Sequence, residues 1–208
     1  MKLTSESFAQ NERIPERCAF GVPCPEQHLK LGENRSPQLS WSDIPADAKS
    51  LVLLCVDTDV PSSMDDFNQE GRTISAELPR IPFIHWVMTD IPATDGSLAE
   101  GECSDGITPG GKDVPPGPPG SRQGVNDYTG FMAGDENMAG SYFGYDGPCP
   151  PWNDEIVHHY RFKLFAVDIE GCGLAGDFTA NDALAAIKGH IIDQTELTGT
   201  YSLNPDVS

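Results

Sequence analysis

The sequence predicts a mostly β protein, an antiparallel β-sandwich with one C-terminal helix packed at its edge. Two observations carry this prediction. Glycine and proline are frequent, with 21 and 18 copies in 208 residues, which favours short strands joined by turns. Strand-like runs come first along the chain and one helical pattern comes late, an order typical of a sheet protein with an added helix.

Three segments have the composition of strands. Residues 50–57 form a continuous apolar run, as expected of a strand that is covered on both faces. Residues 83–89 are aromatic and β-branched, and residues 158–168 alternate apolar and basic side chains before becoming fully apolar.

The helix is predicted to begin after Thr179, because a threonine N-cap followed three positions later by Asp182 is a variant of the capping box. Leu184, Ile187 and Ile191 follow at helical spacing and predict one apolar face. Two segments lack periodicity, an acidic insertion at 62–82 and a proline- and glycine-rich loop at 103–130. We predict a single domain over residues 1–208, the size of one substantial core.

The net charge of −19 argues against nucleic acid or an anionic membrane as a partner, because both require a basic surface. An apolar run of membrane-spanning length is missing, and the amino terminus lacks the apolar stretch of a secretory signal. We therefore expect a cytoplasmic protein without integral membrane contact.

The six cysteines do not form a Cys-x-x-Cys pair, and short metal-ligand spacings of histidine and carboxylate are missing, so we expect neither a metal nor another cofactor. Free thiols are the expected state in the cytoplasm. A bridge between two of the loop cysteines, Cys18, Cys24 or Cys149, is the alternative.

Polar residues that could form a site follow the predicted strands. Asp57 and Asp59 are two apart, so their carboxylates are expected to project together where the apolar run ends. His158 shares the apolar face of its strand with Tyr160, which predicts that His158 faces inward and His159 outward. Such a group of imidazole and carboxylate could hold an oxyanion such as phosphate.

Two common functional motifs are incomplete or missing in this sequence. Residues 106–113 imitate a phosphate-binding P-loop, but an aspartate replaces the magnesium-binding hydroxyl and prolines follow where a helix is required. A Gly-x-Ser-x-Gly elbow is also missing. A hydrolase that uses Asp57 with His85 or His158 as acid and base remains an alternative function.

Six short motifs resemble, in order, the bacterial and archaeal branch of the phosphatidylethanolamine-binding (Raf-kinase-inhibitor-like) family. The resemblance covers residues from about 15 to 201, and the six together are far more specific than any one alone. They are Ser36-Pro37-Gln38-Leu39-Ser40-Trp41, Asp57-Thr58-Asp59-Val60-Pro61, His85-Trp86-Val87-Met88-Thr89-Asp90-Ile91-Pro92, Gly124-Val125-Asn126-Asp127-Tyr128, Tyr145-Asp146-Gly147-Pro148-Cys149-Pro150-Pro151 and His158-His159-Tyr160-Arg161-Phe162.

The resemblance implies a Greek-key sandwich with a pocket for phosphate, phosphorylated head groups such as phosphoethanolamine, or similar anions, without catalytic turnover. Its alternative role is a module that inhibits a kinase or serine protease; a homodimer is left open. By position, the implied pocket residues are Asp57, Asp59, His85, His158 and Tyr160, beside a donor-poor wall of Pro150 and Pro151. The insertion at 62–82 is longer than in short bacterial members and is expected to reshape the pocket rim.

Overall fold

A five-stranded antiparallel sheet lies at the centre of the molecule in the computed structural model, which describes residues 1–207. Two single 3₁₀ turns, at Glu16–Cys18 and Met132–Gly134, interrupt the loops. The strands are β1 (Lys2–Thr4), β2 (Gly21–Cys24), β3 (His28–Leu31), β4 (Leu39–Ser42), β5 (Ser50–Pro61), β6 (Arg80–Pro92), β7 (Gly96–Leu98), β8 (Arg122–Gln123), β9 (His158–Val167) and β10 (Ile191–Tyr201), and the helices are α1 (Tyr128–Phe131) and α2 (Ala180–Ala186).

The strand order of the large sheet is β10-β9-β5-β6-β8, and every neighbouring pair is antiparallel. A smaller sheet, β1-β4-β7, packs against one face of it, and β2 and β3 form a separate hairpin. The prediction of a mostly β, antiparallel sandwich is confirmed.

Strand β5 has the large sheet's most continuous apolar run because both of its faces are covered. Leu53 and Cys55 point into the main core between the sheets, where they join Trp41 of the small sheet. Val52 and Leu54 point to the opposite face, where a second apolar cluster includes α2. The three strand predictions are confirmed, although β5 continues to Pro61 and β6 spans Arg80–Pro92.

Helix α2 begins as predicted, with Thr179 as N-cap and Asp182 completing a capping box. It covers the outer face of the large sheet, where Ile187 is fully buried. The predicted apolar face is wrong at its other two positions. The helix ends at Ala186, so Ile191 belongs to β10, and both Leu184 and Ile191 are exposed.

The connection between β5 and β6, residues 62–79, contains turns and one isolated bridge to Asp154. The loop at 103–130 is irregular as expected, except that it contains β8 and the start of α1. All six cysteines are free thiols, so the alternative of a bridge among the loop cysteines is not observed. Within residues 1–207, none of the helices is long and apolar enough to cross a membrane.

Candidate functional site

A cavity of about 430 Å³ opens where β5, β6 and β9 approach the 62–79 connection and α1. The end of the apolar run in β5 positions Asp57 at its base, opposite Tyr160 on β9 and Phe83 on β6. Six of the seven residues that the sequence placed in the pocket line this cavity. They are Asp57, His85, Pro150, Pro151, His158 and Tyr160.

Asp59 is the exception, and the expectation that it projects together with Asp57 is wrong. The pairing of β5 with β6 shifts register between Asp57 and Val60, so the strict alternation of side chains fails there. The Asp59 carboxylate instead accepts hydrogen bonds from the backbone N–H of His159 at 2.8 Å and from its Nδ1 at 2.9 Å. Both residues lie outside the cavity, and His159 is exposed as strand parity predicted.

His158 is fully buried and lies between two carboxylates. Its Nδ1 is 2.7 Å from Asp57 Oδ2 and its Nε2 is 3.1 Å from Asp154 Oδ2. Burial alone would lower the pKa of His158, but the two carboxylates outweigh it and raise this pKa to about 9. The ring is therefore an imidazolium at neutral pH, and both of its N–H groups are donated to the protein.

Arg80 extends this network toward the 62–79 connection. Its guanidinium binds the Asp154 carboxylate in a bidentate manner at 2.5 and 3.0 Å, and donates further bonds to the carbonyls of Asp59 and Ser75 at 2.9 Å. Burial would raise the pKa of Asp154, but hydrogen bonds from His158 and Arg80 lower it. Charges in the row Asp57–His158–Asp154–Arg80 alternate and sum to zero.

Sequence reasoning assigned neither Arg80 nor Asp154 to the site. Their contact joins residues 74 positions apart, which strand periodicity does not reveal. The available signal was weak: Arg80 is a basic residue three positions before the predicted strand 83–89, in a strongly acidic chain.

His85, on β6, is also buried, but among residues 1–207 no carboxylate is hydrogen-bonded to its ring. Its Nδ1 donates to the backbone carbonyl of Asp146 at 2.7 Å, which leaves Nε2 as the unprotonated nitrogen of the neutral ring. Burial lowers the pKa of His85 against the attraction of Asp57 and the Asp146 carbonyl. His85 is therefore neutral at neutral pH.

Asp146 is a third residue that sequence reasoning did not assign to the site. Its carboxylate is held by the Lys112 ammonium at 2.9 Å and by the side-chain amides of Asn34 and Asn126, each at 2.7 Å. These buried contacts fix the carbonyl that orients His85. The sequence signal was its position in the motif that precedes the proline wall.

Tyr160 contributes an unpaired hydroxyl. The residue is 1% exposed, and its hydroxyl has no hydrogen-bond partner among residues 1–207. Burial and the negative charge of Asp57 raise the pKa of Tyr160, so the phenol keeps its proton. Its ring lies 5.1 Å from that of His85, centroid to centroid, so the two groups share one part of the cavity floor.

Apolar side chains form the walls above this floor. Phe83 and Phe131 meet edge to face with centroids 6.1 Å apart, and Phe67 lies 5.9 Å from Phe131. Pro150 and Pro151 also line the cavity and offer no backbone N–H donor, as the sequence suggested.

The Asn153 side chain holds the 62–79 connection by hydrogen bonds to its backbone. Its amide nitrogen donates to the carbonyls of Asp66 and Arg72 at 2.8 and 3.1 Å, and its oxygen accepts from the N–H of Asn68 at 3.1 Å. Asn68 in turn accepts from the N–H of Trp152 at 2.9 Å. The insertion is therefore an ordered part of the cavity rim.

Comparison with known proteins identifies this architecture. A family model described as phosphatidylethanolamine-binding protein matches residues 4–202. Proteins named UPF0098 from Methanothermobacter thermautotrophicus and Chlamydia trachomatis are each 32% identical over 201 residues, which is 97% of this chain and 98% of each relative.

Two solved structures share the fold. YbcL from Escherichia coli, described as a member of the mammalian family, matches with a TM-score of 0.69 at 25% identity over 97% of each chain. A phosphatidylethanolamine-binding protein homologue from Chlamydia trachomatis matches with a TM-score of 0.63 at 30% identity, covering 96% of this chain and 95% of that one. From the family model and these relatives together, the chain belongs to the phosphatidylethanolamine-binding protein family.

Proposed function

We propose that the cavity reversibly binds a small anionic head group, a phosphate, phosphoester or carboxylate, without converting it. The observation that carries this proposal is the pair of unpaired polar groups on the floor. Among residues 1–207, the Tyr160 hydroxyl is buried without a hydrogen-bond partner, and the Nε2 of His85 makes no hydrogen bond to the protein. Both residues line the cavity. A buried polar group without a partner is costly, so a ligand that pairs with the Tyr160 hydroxyl gains free energy, and the open Nε2 of His85 offers it a second contact.

The anion is expected to bind together with a proton. Neutral His85 presents a lone pair at Nε2, which repels an oxyanion, whereas the imidazolium presents an N–H. The charged side chains or dipoles that face this ring are Asp57, Asp127 and Asp146, which are acidic, and Tyr128, which is neutral. Because the pKa of His85 lies below its ordinary value, affinity should rise as the pH falls toward that pKa.

The same geometry argues against turnover. A general base must be free to accept a proton, but His158 is already protonated and donates from both nitrogens to Asp57 and Asp154. Asp57 in turn accepts from His158 and from the backbone N–H of Asp59. His85 is then the one ring free for proton transfer on the floor, and among the described residues none of the carboxylates that face it is hydrogen-bonded to the ring.

Thermal unfolding in increasing phosphate or phosphoethanolamine tests the proposal, because a ligand that binds only the native state raises the melting temperature. We expect a dose-dependent rise that His85→Asn abolishes. His159→Asn is the matched control, since His159 is exposed and lies outside the cavity.

Sulfate provides the pH test, because its charge is constant in the relevant range. Its affinity should increase by up to about tenfold for each pH unit between roughly pH 7.5 and 6, where His85 must take up the proton. Absence of any stabilisation at millimolar anion, or an equal loss in both histidine variants, would refute the proposal.

The alternative role as an inhibitor of a kinase or serine protease stays a prediction, as does a homodimer. Exposed apolar side chains near the cavity mouth, such as Leu31 and Ile81, are compatible with a protein partner. Because both side chains line the cavity, we favour ligand binding over a protein partner as their role.

A further inference from the structure

We infer that the ligand is a compact amphiphile, with one anionic head and one small ring or short chain, and that the 62–79 connection selects for this apolar group. The inference rests on the proposed function, because the head is placed on the floor at His85 and Tyr160. It concerns the apolar part of the ligand, which would lie above the polar floor residues.

The cavity is far more apolar than a bare phosphate requires. The polar residues of the floor are Asp57, His85, His158 and Tyr160. Above them, the surface of the cavity comes largely from aromatic and aliphatic side chains, which offer no hydrogen bonds. Phosphate alone would leave these walls against water, whereas an attached apolar group would remove them from it. The wall residues used in this argument are Met64, Phe67, Phe83, Phe131, Pro150 and Pro151.

The side chains at the mouth are only partly covered. Met64 is 47% and Phe131 46% exposed although both line the cavity. Large apolar side chains clustered at this exposure are typical of ligand-binding or interaction sites. An apolar group that continues upward from the floor would cover both of them.

The 62–79 connection provides a fixed surface for this group. It carries Met64 and Phe67, and the hydrogen bonds of Asn153 hold its backbone in place. Arg80, at its end, links the Ser75 carbonyl to Asp154 and so to the charge network of the floor. Hydrogen bonds thus connect the 62–79 connection to the polar floor, so the protein itself fixes the distance between them.

The size of the cavity limits the ligand. A volume of about 430 Å³ lies in the lower half of the range for small-molecule pockets, roughly 300–1,000 Å³. It encloses a head group with one compact substituent, whereas the two long chains of a diacyl lipid would have to extend out of the mouth into water. The geometry therefore points to a small free amphiphile as the ligand.

Three probes of equal charge type test this inference by calorimetry: inorganic phosphate, phenyl phosphate and hexyl phosphate. Burying a six-carbon apolar group should strengthen binding about ten- to a hundredfold over phosphate. The phenyl and hexyl probes also distinguish a ring from a chain as the preferred substituent. Equal affinity for all three probes would overturn the inference and leave the proposed function intact.

Phe67→Ala tests the role of the connection. We expect it to weaken phenyl phosphate binding about five- to tenfold and to leave phosphate binding unchanged, because Phe67 lies above the floor. Leu184→Ala is the matched control, since it also removes a partly exposed apolar side chain but on the outer face of α2. Phe67→Leu, which keeps an apolar side chain, should retain most of the affinity.

These experiments distinguish a failure of the proposed function from a failure of the further inference. If neither phosphate nor its esters bind, the proposed function fails. If Phe67→Ala weakens phosphate and phenyl phosphate equally, the connection does not select the apolar group and the inference fails. Displacement of phenyl phosphate by phosphatidylethanolamine vesicles at equal head-group concentration would also overturn it, in favour of a lipid. If Phe67→Ala does not fold, the probe series on the natural sequence decides.

Discussion

His85 and His158 flank the same central strand, β5, and both are almost completely buried, but their surroundings differ. His158 is hydrogen-bonded to two carboxylates, and its pKa rises to about 9. The hydrogen bond of His85 goes to a neutral carbonyl, and burial lowers its pKa. Burial is common to both rings, so the hydrogen-bonded charges decide which one is protonated.

This difference divides the cavity floor into two parts. In the His158 part, both ring nitrogens of His158 and both terminal nitrogens of Arg80 are hydrogen-bonded to carboxylates. The Arg80 Nε has no partner among residues 1–207, but Arg80 does not line the cavity. The His85 part, together with Tyr160, still has unpaired polar atoms. We therefore assign stability to the first part and ligand binding to the second, and the predictions below test this division.

The largest effect is expected from Asp154→Ala. The substitution leaves Arg80 without its carboxylate and removes one of the two counter-charges of His158. Breaking a buried ion pair by removing one partner costs about 3–5 kcal/mol. Urea unfolding at neutral pH should show a loss of this size in the free energy of unfolding.

Asp59→Ala is the control, because it breaks the more exposed contact with His159. A surface ion pair contributes under about 1 kcal/mol. If the two alanine variants lose equal stability, the row through His158 is not the stabilising part of the site.

The next effect is a pH dependence of stability that belongs to His158. Its pKa is about 9 in the folded chain, against an ordinary value of 6.5, so the native state holds the proton more tightly. This contribution is fully present below about pH 6.5 and is lost as the pH rises toward 9, by on the order of 3 kcal/mol.

Urea unfolding at intervals between these two pH values measures this loss, and the difference from His158→Gln isolates it from other titrating groups. The His85 contribution has the opposite sign. The unfolded chain takes up a proton there before the native state does, so this contribution is lost as the pH falls below about 6.5. A flat difference curve between pH 6.5 and 9 would mean that His158 is neutral and that the division into two parts is wrong.

The sequence predicted the fold and the inward histidine well because both follow from local periodicity. The unbroken apolar run of β5 predicted a strand covered on both faces. Strand parity placed His158 inside and His159 outside, and both are confirmed. The role of His85 came from the family resemblance, since a lone histidine in a strand carries little signal of its own.

The wrong predictions from the sequence concern positions where local periodicity no longer describes the chain. Parity failed at Asp59, because a register shift follows Asp57. Helical spacing failed at Ile191, because the chain turns into β10 after a helix of seven residues. The contact of Arg80 with Asp154 depends on tertiary packing, so no window of sequence contains it.

The smallest effect on stability, and the most specific on binding, is expected from Tyr160→Phe. The hydroxyl has no hydrogen-bond partner in the described part of the chain, so its removal breaks no hydrogen bond there and should change the free energy of unfolding by less than about 1 kcal/mol. Phosphate should bind about tenfold more weakly, since a hydrogen bond to a charged group is lost.

Tyr201→Phe is the matched control, because Tyr201 is equally buried but donates to the Gly21 carbonyl at 3.0 Å. It should reduce stability by about 1 kcal/mol and leave phosphate affinity unchanged. The opposite pattern, with Tyr160→Phe less stable and equally able to bind phosphate, would move Tyr160 from the ligand-binding part of the floor to the structural part.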